Sequence, residues 1–268
     1  MMHPIERLRM VARAGREDAT LLGREAASAL ASLGADPAGL VTACRGLVAR
    51  QPTCGPVWWV AARVLSAADA TTEAWRAGDE LARDSTAGAL AYELPEDATA
   101  LVLGRPEVAS EALLRRGDVR ALVVDALDEG GSLVNMLRRA EGDAILVPES
   151  GVGAAVAAAS VVVVEAFALG PSGLVATAGS AAAAALARQH GVPVWAAAAT
   201  GRLLPEPLWE GLAAGLGRRA DPWDELEELV PLDWVDVVVG PRGAATPAEA
   251  VASPTCPAAP ELVRAVRR

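Results

Sequence analysis

The chain has 268 residues, a formal net charge of −10, a 52 % hydrophobic fraction and only 3 % aromatics, so its core must be built from Ala, Val and Leu. It contains no Lys, which excludes a Schiff-base or P-loop lysine, and its acidity argues against direct nucleic-acid contact or a membrane-surface role. Cys44, Cys54 and Cys256 have no CxxC spacing and read as cytosolic thiols, and no cofactor or metal site is expected.

The start, MMHPIERLRMVARAG, carries charges where an export signal needs an apolar run, and a cytoplasmic location is expected. Residues 5–33 place Leu, Val and Ala on a helical period. Asp36 and Pro37 form a restart signal, with Asp36 a candidate N-cap and Pro37 at the first helical position. A break at residues 51–56 leads into VWWVAARVL, and residues 68–92 read as one further amphipathic helix. Residues 1–93 are therefore expected to be a helical N-terminal domain.

From Leu94 the texture changes to short apolar runs alternating with amphipathic segments: ATALVLG, VRALVVDA, DAILVPES, VVVVEAF, VPVWAAAA and WVDVVVG, with helical stretches between them. This pattern predicts an α/β fold over residues 94–268, a Rossmann-like parallel sheet with helices on both faces. The most apolar stretch, residues 152–187, is interrupted by Glu165 and by Gly170-Pro171-Ser172-Gly173, which excludes a membrane span of about 20 residues. Residues 247–260, rich in Ala and Pro, read as a loose connection before a last short helix over 260–267.

Ligands in such sheets sit at the carboxyl ends of the strands, which selects the residues just after each run. Arg105 follows the first strand and can reach an anion, or is a solvated loop arginine. Asp125, Asp128 and Glu129 follow the second and Glu149-Ser150 the third; they can bind sugar hydroxyls, position a proton transfer, or simply complement helix dipoles. Thr177-Ala178-Gly179-Ser180 precedes an Ala-rich helix whose free N–H groups can hold a phosphate; the alternative is an ordinary N-cap. His190 sits before Gly191 at a helix end, where a basic side chain suits the dipole. The candidate ligand-binding set is Arg105, Asp125, Glu149, Ser150, Thr177, Gly179 and Ser180, with no catalytic residue assigned.

Four segments resemble the superfamily of initiation factor 2B α/β/δ subunits, methylthioribose-1-phosphate isomerases and ribose-1,5-bisphosphate isomerases. They are Gln51-Pro52-Thr53, residues 119–125 with GGSLVNMLRRA, DAILVPESGVGAAVAAASVVVVEA, and LGPSGLVATAGSAAAAALARQHGVPVWAAA. The resemblance implies a helical domain followed by a Rossmann-like domain that dimerises. In the isomerases a cysteine, a Gly-Ala-Asp aspartate and an Arg-Pro-Thr arginine carry out proton transfer on a sugar. Here the aspartate falls at Ala166, the arginine at Gln51, and Leu103-Gly104-Arg105 offers no cysteine. The resemblance therefore implies a non-catalytic, homodimeric regulatory or sensing protein that binds a sugar phosphate or nucleotide. An isomerase with a relocated set (Asp125, Asp128, Glu149 or Glu165) is the alternative, and a structural partner of a catalytic paralogue a third reading.

Overall fold

The computed structural model describes residues 18–33, 37–217, 220–252 and 254–263. The described residues begin with four helices, α1 (Ala19–Ala31), α2 (Pro37–Arg50), α3 (Gly55–Ser66) and α4 (Ala70–Ala82), followed by the short α5 (Thr86–Glu93). Carboxylates start two of them: Asp18 accepts from the Leu21 N–H at 2.9 Å, and Asp69 from the Thr72 N–H at 3.0 Å. Residues 5–17 and Asp36 lie outside the described residues. The helix expected over residues 68–92 is two helices. Asp84 takes the Thr86 N–H and hydroxyl at 3.0 and 2.9 Å, so a side chain competes with the helical ladder and the chain turns.

Seven strands then form the main sheet, interleaved with helices: β1 (Thr99–Leu103), α6 (Glu107–Leu114), β2 (Arg120–Val124), α7 (Gly130–Arg139), β3 (Ala144–Val147), α8 (Val152–Ala158) and β4 (Val161–Glu165). After a hairpin of β5 (Ala168–Gly170) and β6 (Gly173–Thr177) come α9 (Ser180–His190), β7 (Val194–Ala197), α10 (Glu206–Ala213), β8 (Glu227–Pro231), β9 (Val237–Gly240) and β10 (Gly243–Ala245). Helices α11 (Pro247–Ala252) and α12 (Pro260–Val263) finish the described chain. The main sheet runs β10-β9-β7-β4-β1-β2-β3, parallel throughout except for the antiparallel β10.

The central strands are Val- and Leu-rich because both of their faces are covered. Leu101, Leu103, Val162 and Val164 pack toward α8 and α9, while Ala100, Val102, Val161 and Val163 pack toward α5, α6 and α7. A third apolar cluster joins α1–α4 to α10 and α12 through Trp58, Trp59, Leu208 and Trp209.

Beside this sheet lies a second one, absent from the sequence expectations: β5, β6 and β8, antiparallel in the order β5-β6-β8. Gly170-Pro171-Ser172-Gly173 is its hairpin turn rather than only a break between a strand and a helix. Gly170 fits because a Cβ there would stand 2.2 Å from the Trp209 ring. Residues 247–260 also differ from expectation, since six of them form α11, with Glu249 accepting the Thr246 N–H at 2.9 Å as a local start signal. His190 does lie in the last turn of α9, which Gly191 ends in the left-handed region at φ +68°.

Candidate functional site

Strand order decides where the site lies. From β1 the chain builds outward through β2 and β3; from β4 it builds the other way through β7 and β9. The order therefore reverses between β1 and β4, and their carboxyl ends leave a crevice. A cavity of about 480 Å³ opens there, walled by Arg105-Pro106-Glu107 after β1, Glu165 and Phe167 after β4, and Thr177 at the end of β6. The helical region closes the other side with Asp18, Arg50 and residues 51–54, and Glu225-Leu226-Glu227 borders it ahead of β8.

The floor is an ion cluster. Arg202, fully buried, donates through Nη1 to Glu165 Oε1 and through Nη2 to Glu107 Oε2, each at 2.8 Å, and to the Ala166 carbonyl at 2.9 Å. Its Nε has no partner among the described residues. Glu165 also accepts the N–H groups of Val108 and Ala109 at 2.7 and 3.2 Å, so this carboxylate fills the N-terminus of α6. With three donors on its carboxyl, Glu165 is committed to holding the structure together. Burial disfavours the charged guanidinium of Arg202, but the fields of Glu165 and Glu107 outweigh it and raise its pKa.

Glu107 differs. Burial pushes its carboxyl up to about 7, opposed by Arg202 and reinforced by the charge of Glu165. It is the one residue of the cluster both open to the cavity and poised to change charge near neutrality. Cys54 also lines the cavity, but burial pushes its thiol up to about 12, so it is a poor nucleophile.

Of the expected ligand residues, Arg105 and Thr177 line this cavity. Arg105 is exposed and makes no ion pair or hydrogen bond among the described residues. The others have separate tasks. Asp125 accepts the Gly131 N–H at 3.3 Å near the start of α7, and Glu149 accepts the Leu127 N–H at 3.3 Å, holding the turn after β2. Ser150 is exposed and Ser180 is buried at 2 %. Gly179 stands at φ +94°, a left-handed position that suits glycine. The anion cradle expected at α9 is filled from within the chain: Glu228 accepts the Ala181 N–H at 2.7 Å.

Sequence reasoning passed over Glu107, Arg50, Glu225 and Glu227 as site residues, and reached Arg202 only as one of residues 198–203 after a strand. A signal existed for one pair: Glu165 ends an otherwise apolar strand, and a buried carboxylate demands a cation, which the loop after β7 supplies. Ala166, where the resemblance puts the catalytic aspartate, is fully buried in the apolar cluster facing α8 and α9. The cavity walls carry six carboxylates (Asp18, Glu107, Glu129, Glu165, Glu225, Glu227) against Arg50 and Arg105. Among the described residues no group of three or more His, Cys, Asp or Glu side chains is arranged to hold a metal, and no helix is long and apolar enough to cross a membrane.

Solved structures show the same architecture. The translation initiation factor eIF-2B of Pyrococcus horikoshii superposes with a TM-score of 0.78 at 16 % identity, over 94 % of this chain and 99 % of that one. The chain has the fold of initiation factor 2B subunits. The tetrameric eIF2B-β2-δ2 complex of Chaetomium thermophilum gives 0.72 at 17 % identity, over 93 % and 92 % of the two chains. The 5-methylthioribose 1-phosphate isomerase of P. horikoshii gives 0.61 at 17 % identity, over 91 % and 84 %. No family model and no curated protein matches the sequence. The initiation factor 2B fold thus occurs here on a sequence that shares few side chains with these structures.

Proposed function

We propose that this chain is a non-catalytic, initiation factor 2B-like binding protein whose cleft takes a small phosphorylated polyol, a sugar phosphate or a nucleotide. One observation carries the reading: the cleft at the strand-order reversal pairs an uncommitted cation, Arg105, with a wall of carboxylates. Arg105, with Arg50 on the facing helical wall, meets the phosphate; Glu107 and its neighbours accept from sugar hydroxyls. Turnover by the family route lacks its proton-transfer group, because Ala166 has no acid–base function and Glu165 is consumed by Arg202 and α6. Isothermal titration with ribose 1,5-bisphosphate, methylthioribose 1-phosphate and AMP tests this. Binding of at least one without turnover, weakened about tenfold or more by Arg105→Ala, supports it; no binding, or indifference to Arg105, refutes it.

One observation favours a second reading, a sugar-phosphate isomerase with a relocated acid–base group. Glu107, held at about 7 against the cavity, has the proton affinity such a reaction needs. Proton NMR of the same sugar phosphates decides between the two: conversion that Glu107→Gln abolishes makes the protein an enzyme.

We also propose that two copies pair through the sheet domain, as resemblance to the dimeric superfamily implies. The edge strand β3 supports this, since Ile145 and Leu146 are both about two-fifths exposed there. Sedimentation equilibrium giving a monomer at micromolar concentration refutes it.

A further inference from the structure

A second cavity, of about 410 Å³, is lined by Ala199, Thr200, Gly201 and Leu203 of the loop that carries Arg202. Its floor is the carboxyl end of β7 and the adjoining strand β9, with Ala199, Leu203 and Val238 presenting apolar surface and Ala250 of α11 closing one side. The floor is fixed: Thr200 donates its N–H and its hydroxyl to Asp84 at 2.8 and 2.7 Å, and the Arg202 N–H returns to the Ala199 carbonyl at 3.1 Å. The space is therefore preformed, as small-molecule sites usually are.

Its charge is lopsided. Two guanidiniums border it, Arg83 from the end of α4 and Arg242 from the β9–β10 turn. Arg242 is exposed and has no partner among the described residues, and Arg83 has only a solvent-exposed 3.5 Å approach to Asp79. The single carboxylate on the wall, Glu80, is engaged by Arg63, whose Nη2 donates to it at 3.0 Å and which also pairs with Glu73. An apolar floor beneath two available cations is complementary to a molecule with an apolar body and one anionic head.

We propose that this cavity binds a small amphipathic monoanion, an aromatic or aliphatic carboxylate, independently of the cleft at β1 and β4. The probe is 2-naphthoate, with neutral 2-naphthamide as its charge-free twin, titrated calorimetrically into the full chain. One-to-one binding of the acid is expected, with the amide at least about tenfold weaker. Arg83→Gln with Arg242→Gln should weaken the acid to a similar degree with an unchanged Tm, and Ala245→Trp, which fills the space from the edge strand, should remove binding. Arg105→Ala should leave naphthoate affinity unchanged. Absence of binding, equal affinity for the amide, indifference to the double substitution, or loss of binding in Arg105→Ala would each overturn the proposal.

Discussion

Replacing Arg202 with methionine removes a fully buried guanidinium while keeping a side chain of comparable length. The substitution strips Glu165, only 5 % exposed, of its cation and leaves the Ala166 carbonyl without its 2.9 Å donor. Breaking a buried pair by removing one partner costs about 3–5 kcal/mol, because the remaining charge stays desolvated. Here two backbone N–H groups still hold Glu165, and Glu107 can turn toward water, so the lower half of that range, about 3 kcal/mol, is expected. Against a typical stability of about 5–15 kcal/mol this is a large fraction. Urea denaturation of Arg202→Met, Glu165→Gln and the double variant forms a thermodynamic cycle. The double variant should recover most of the loss, since no uncompensated charge is left inside. A cost below about 1 kcal/mol for Arg202→Met, or a coupling near zero, refutes the account of this cluster as the structural floor of the cleft.

Other outcomes follow from the same packing and charge. Glu107 titrates at about 7 when folded and near 4.5 when unfolded, so its neutral form favours the folded state. That contribution is complete below about pH 4.5 and fades as pH rises to 7; Glu107→Gln should flatten the denaturation midpoint across this window, and an unchanged slope counts against the raised pKa. Gly170→Ala drives a Cβ to 2.2 Å from the Trp209 ring and should cost about 1–3 kcal/mol, whereas Gly153→Ala, in α8 with nothing within 4 Å, should gain about 0.4–1 kcal/mol in thermal unfolding; a reversed order refutes the packing argument. Cys44, Cys54 and Cys256 are buried, with thiols pushed up to about 12, so an aromatic disulfide reagent should modify them only on unfolding, and fast native labelling contradicts this.

The alternation of short Val/Leu runs with amphipathic segments was enough to specify a parallel sheet covered on both faces, because residues enclosed on both sides leave a continuous apolar signature. Helix ends at Gly191 and Pro37 were legible for the same local reason: capping chemistry is written within a few residues. The small antiparallel sheet was not, since β8, Glu-Glu-Leu-Val-Pro, has no apolar run and gains its partner β6 from fifty residues away. The cleft followed the same division. Arg105 and Thr177 could be nominated from their positions after strands. That Glu228 fills the α9 terminus, that Glu165 fills α6, and that Arg202 ties Glu165 to Glu107 depend on where distant segments meet. Sequence by itself determined the layers of this protein through local periodicity. Tertiary structure alone decided which charges are spent inside the chain and which, like Arg105, stay unpaired among the described residues, because pairing across long loops obeys geometry rather than spacing.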